Sequence, residues 1–183
     1  MKALDDYQVE HYIDMCKSCA ENIYSTRPPS SAYAERVAHL LLGTAATESH
    51  FVYRRQIGFS WDSNRGAWGL WQTEQGSVED GIKYLDMHPE MRQRAAVWLY
   101  QQKNADASIL HAANIEHILR LISGWDRLGC LFARLHYIRF PEAVPHGLEA
   151  QAAYWKKYYN TRLGKGQPSD YIGNWHRHVQ LYT

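Results

Sequence analysis

The stretch Ser31-Ala32-Tyr33-Ala34-Glu35-Arg36-Val37-Ala38-His39-Leu40-Leu41-Leu42-Gly43-Thr44-Ala45-Ala46-Thr47-Glu48-Ser49 decides the fold class. Ala34, Val37, Ala38, Leu41 and Ala45 recur at three- and four-residue steps, the spacing of one helix face. Arg27-Pro28-Pro29-Ser30-Ser31 ends the preceding element and offers an N-cap to this one. The same rhythm runs outward in both directions. Val9, Tyr12, Ile13, Cys16, Ala20 and Ile23 predict a first helix over about residues 6–24. Downstream, Ser77-Val78-Glu79-Asp80 reads as a capping box opening a helix to about Met87, and Pro89 sits at the start of the next. Asn114 is placed to cap a helix through Ile115, Ile118, Leu119 and Ile122. Leu128, Leu131, Phe132, Leu135 and Ile138 mark another over about 126–140, and two more are expected over about 147–160 and 168–181.

Residues 51–76 break this rhythm with Gly58, Gly66, Gly69 and Gly76, and they hold Trp61, Trp68 and Trp71. The expected fold is therefore mainly α: a single domain over residues 1–183 with one small irregular or β-hairpin excursion at about 51–76. No internal repeat, low-complexity tract or dividing linker is apparent.

Composition excludes several function classes. With 45% apolar and 21% charged residues, the 183-residue chain is not a disordered one. Twenty Lys and Arg against 19 Asp and Glu give a formal charge of +1, which removes the electrostatic case for a nucleic-acid binder. The three cysteines cannot pair completely, and Cys16 and Cys19 fall on a helical pattern as small apolar residues, pointing to synthesis in a reducing cytoplasm. Met1-Lys2-Ala3-Leu4-Asp5-Asp6 lacks the apolar core of a signal peptide, and no apolar run reaches the length of a membrane span. No His-Glu-x-x-His, Gly-x-Ser-x-Gly or phosphate loop occurs, and His176 and His178 point to different sides of their helix, so no metal or cofactor is expected.

Glu48 lies three residues beyond Ala45 on the apolar stripe, which puts a carboxyl group on the core-facing side of its helix. Loss of hydration there raises a carboxyl pKa and lets the group donate a proton near neutrality. A helix-end Glu paired with Arg54 or Arg55 is the alternative reading of the same spacing.

Thr47-Glu48-Ser49-His50-Phe51 is followed by Gly66-Ala67-Trp68-Gly69-Leu70-Trp71-Gln72-Thr73-Glu74. In this order, Glu-Ser at a helix end and then Gly-Leu-x-Gln, the sequence resembles the lysozyme-like superfamily, most closely goose-type lysozymes and soluble lytic transglycosylases. Residues 38–76 carry the resemblance, with Trp71 in the family's Met position. Ala133-Arg134-Leu135-His136-Tyr137 and Tyr159-Asn160-Thr161-x-x-Gly164-Lys165-Gly166 are also similar to phage-encoded lysozyme-like proteins, without a function attached to the second.

The resemblance implies cleavage of the β-1,4 linkage between N-acetylmuramic acid and N-acetylglucosamine in peptidoglycan. Glu48 would be the general acid, and Asp62 and Glu74 would hold or activate water. It implies a sugar cleft lined by Gln72 and by Trp68 or Trp71, with His50 beside the acid and Tyr137 standing for a Tyr of the family's absent Ala-Tyr-Asn-Ala-Gly segment. Arg54, Arg55 and Arg65 would meet lactyl and peptide carboxylates. Two alternatives remain open: a lytic transglycosylase using Glu48 alone, and a non-catalytic virion or glycan-binding module on the same scaffold. The cleft motif does not distinguish peptide-bearing glycan from chitin. The expected partner is the glycan strand, met by a monomer that is made in the cytoplasm and reaches the wall through lysis or inside a virion.

Overall fold

A computed structural model describes residues 6–61, 65–103 and 105–179, and the chain is mainly α. The helices are α1 (Asp6–Asn22), α2 (Ser31–Ser49), α3 (Gln75–Met87), α4 (Pro89–Tyr100), α5 (Ile115–Ile122), α6 (Asp126–Ile138), α7 (Leu148–Trp155) and α8 (Pro168–His178). A 3₁₀ turn, Ala112–Asn114, leads into α5, and a π-helical turn, Lys156–Asn160, continues α7. The irregular stretch between α2 and α3 has two isolated bridges, Arg55 with Trp68 and Trp68 with Thr73, and among the described residues no strand. It is the irregular form of the expected excursion.

Helix ends differ from the predicted ones for local reasons. Ser30 caps α2 as expected, its hydroxyl accepting the Tyr33 N–H at 3.3 Å. By contrast, α3 opens two residues before Ser77, because the Glu74 carbonyl already accepts the Ser77 and Val78 N–H groups. Asn114 does not cap α5: its side-chain amide donates to the Ser108 carbonyl at 2.8 Å. An unforeseen capping box opens α8, where the Gln167 N–H donates to Asp170 at 2.7 Å.

Two helices are buried on nearly every side. Residues 40–46 of α2 and 128–135 of α6 are continuously buried, so a single stripe understates how deep both run. Helix α6 packs on α1 to α5 and on the π turn, and the buried side chains of all eight helices join one apolar cluster. Cys16, Cys19 and Cys130 are free thiols inside it, with the Cys16 and Cys130 sulfurs 4.0 Å apart.

Gly43 lets α8 cross α2. A Cβ there would lie 2.1 Å from the Tyr171 hydroxyl, which donates to the Leu40 carbonyl at 3.3 Å. That close crossing fixes where the last helix stands relative to the end of α2.

Candidate active site

Glu48 sits in the last turn of α2, and the backbone reverses immediately after it. His50 (φ 52°) and Phe51 (φ 57°) are both left-handed, with the His50 N–H returning to the Ala46 carbonyl at 3.1 Å. The turn exposes the helix end to two cavities that share Glu48 as a wall. One, of about 560 Å³, is bounded by His50, Trp155, Asn160, Asp170, Asn174 and Arg177. The other, of about 370 Å³, is bounded on the excursion side by Tyr53, Gln56, Ile57, Gln72 and Glu74. A half-buried carboxyl group thus forms a wall common to both cavities.

The electrostatics follow from this placement. Burial pushes the Glu48 carboxyl up to about 7; the Trp155 indole N–H, donating to Oε1 at 3.0 Å, pulls it down, and the charge of Glu74 pushes it up. The C-terminal end of α2 also disfavours a negative charge. Glu74 occupies the opposite kind of position, at the N-terminal end of α3, where orphan N–H groups favour one. Its side chain is exposed and makes no cap bond. Because an N–H donor prefers the unprotonated oxygen, Trp155 leaves Oε2 of Glu48 to carry the proton.

The remaining expected residues divide. Gln72 lines the second cavity and has φ 45°; its amide donates to the Gly69 carbonyl at 2.9 Å and to that of Tyr53 at 3.3 Å, so it also holds the loop. His50 lines the first cavity, and its buried Nδ1 has no partner. Asp62 lies outside the described residues.

Trp68, Trp71 and Tyr137 belong to the core instead of the cleft. Trp71 is fully buried with its indole N–H on the Leu41 carbonyl at 2.9 Å, while Trp68 is 2% exposed beneath the Arg55 guanidinium. Apolar packing under the excursion takes up both rings. Tyr137 is 2% exposed and pairs with Thr44 at 2.8 Å, one turn below Glu48. Trp61 is the exposed member of the cluster, its ring edge-on to Trp68.

Arg54 leaves the list of carboxylate-binding candidates, and Arg55, although it lines the second cavity, is engaged by the loop. Arg54 pairs with Asp126 and reaches the Tyr12 hydroxyl, tying the excursion to α1 and α6. Arg55 is buried and donates to the carbonyls of Ser60, Arg65 and Ala67, which shapes the loop from within.

Sequence reading missed the other wall, Trp155, Asn160 and Arg177, and the Tyr159 packed behind it. The Tyr159 hydroxyl donates to the Trp71 carbonyl at 2.6 Å, and its phenol is raised by burial and by the charge of Glu48. Lys156 Nζ donates to Asn160 Oδ1 and to the Gly164 carbonyl, both at 2.8 Å, curling the following loop back on the π turn. At Gly164 a Cβ would meet the Asn160 carbonyl at 2.2 Å, and at Gly166 one would meet Trp155 at 2.7 Å. These contacts explain the Tyr159-to-Gly166 segment. Its signal was visible in the sequence, but only the fold links it to Glu48.

A scan against protein-family models finds no match to this chain, and searches of curated proteins and of solved structures find none either.

Proposed function

We propose that this cleft cleaves the glycan strand of peptidoglycan by hydrolysis. The observation that carries the reading is the Glu48 carboxyl, raised to about 7 and held by Trp155 where two cavities meet. Glu48 Oε2 gives its proton to the glycosidic oxygen as the C1–O bond breaks and its electron pair leaves with that oxygen. A water molecule adds to C1 from the other face and loses its proton to the Glu74 carboxylate. Glu74 then releases that proton to solvent and Glu48 takes one back, which restores both carboxyl groups. Two cavities that share Glu48 as a wall suit a polymer with sugar units on each side of the cut. Arg177, exposed on the wall of the larger one, supplies a cation for the lactyl carboxylate of a muramic unit.

The test is clearing of purified cell walls by Glu48→Gln. Loss of about 10²–10⁴-fold is expected with the fold retained, and an unchanged rate overturns the reading. Mass spectrometry of the products separates the chemistries: reducing ends are expected, whereas anhydro ends overturn hydrolysis in favour of attack by the sugar's own 6-hydroxyl. A wild type that clears no wall at any pH or salt gives the cleft to a binding module instead.

A further inference from the structure

A second cavity region, of about 1010 Å³, lies near the start of α2, far from Glu48. From Tyr33 to Glu48 the helix rises about 22 Å at 1.5 Å per residue. Its floor contains Arg134 of α6, only 3% exposed. Arg134 Nε donates to the Ile23 carbonyl at 3.0 Å and the Tyr33 side chain is its other hydrogen-bond partner; among the described residues no carboxylate pairs with it. A guanidinium has five N–H donors and keeps its charge inside proteins, so this is a buried cation lacking a counterion, with donors to spare. A buried charge of that kind is normally paired.

Two further cations stand in the lining. Arg27 and Arg36 border the cavity, and Arg36 Nε is buried without a partner. The bordering acid, Glu142, is taken up by Lys157 at 2.6 Å. Between these charges stand the rings of Tyr24, Tyr33, Phe140 and Tyr154. Their flat apolar faces and the three cations are complementary to one chemistry.

We propose that this cavity binds a small organic anion, a carboxylate or phosphate group carried on a flat apolar body, with Arg134 as the counterion at its floor and the aromatic rings around the body. Neither the site nor its ligand depends on the reaction at Glu48.

The experiment is a titration of the full chain, followed by NMR at the Arg134 side chain and at the amides of Tyr24, Tyr33 and Phe140. The probes are phenyl phosphate, benzoate, benzyl alcohol and inorganic phosphate. Saturable shifts are expected from the two ring-bearing anions, at least about tenfold tighter than from either the neutral ring or the bare anion. Whichever of the two binds tighter identifies the acid group. Arg134→Met should abolish the shifts. Arg36→Gln, at the rim, should weaken both anions several-fold, and it keeps the test intact if Arg134→Met does not fold. Equal binding of benzyl alcohol, absence of shifts with both anions, or an unchanged affinity in Arg36→Gln overturns the proposal.

Discussion

On the proposed reading, Glu48 and Trp155 set the pH at which the cleft works. Activity that needs the protonated carboxyl falls as pH rises through about 7. The Trp155 N–H favours the charged form, so its removal raises the carboxyl further. Trp155→Phe should therefore move the basic limb of the kcat/KM profile to higher pH, while the same change in a protein that uses another acid would leave that limb in place. Measurement of the profile on solubilised glycan decides it. At this scale the sequence was half legible. Position 48 could be read from a helical stripe and a short motif, because both are local. Trp155 could not be, since it meets Glu48 across 107 residues and no spacing rule connects α7 with the end of α2. Trp68 and Trp71 were misread for a related reason: density of aromatic residues reports apolar burial or sugar binding equally well, and only the packing on Arg55 and Leu41 decides which.

At the level of elements, the cleft wall depends on how closely α8 approaches α2. Gly43→Ala places a methyl group 2.1 Å from the Tyr171 hydroxyl, and α8 must shift or the side chain must leave its site. A loss of about 1–3 kcal/mol is expected in denaturant unfolding, together with reduced wall clearing, because α8 carries Asn174 and Arg177. Wild-type stability in the variant would show that the crossing tolerates the methyl. Most helices were legible from apolar spacing, since each buries a face. Their ends were less so: Ser77 and Asn114 have capping chemistry, yet α3 already starts on the Glu74 carbonyl and the Asn114 amide is drawn to the Ser108 carbonyl. The π turn left no periodic trace, because five residues are too few to show one.

For the whole molecule, the raised carboxyl is a cost in stability. Glu48 keeps its proton up to about 7 when folded, against an ordinary value of 4.5 when unfolded. Between these values the folded chain binds more protons, so stability falls as pH rises through that window, by at most about 3 kcal/mol. Glu48→Gln removes the effect. Thermal unfolding should find the variant more stable than wild type above pH 7 and no more stable below pH 4.5; an equal difference at both would sink this account. The near-neutral charge of +1 has a separate reading at this scale: under the proposed function, a long-range field would contribute little to meeting the wall, and recognition would fall to the cleft itself. The core adds one more consequence. Cys16, Cys19 and Cys130 have no water access, and burial holds the thiols of Cys19 and Cys130 far above the range in which they ionise. Oxidants and alkylating reagents can therefore reach them only through an opening of α1 against α6, which makes the three sulfurs an internal clock of unfolding in any compartment the chain enters.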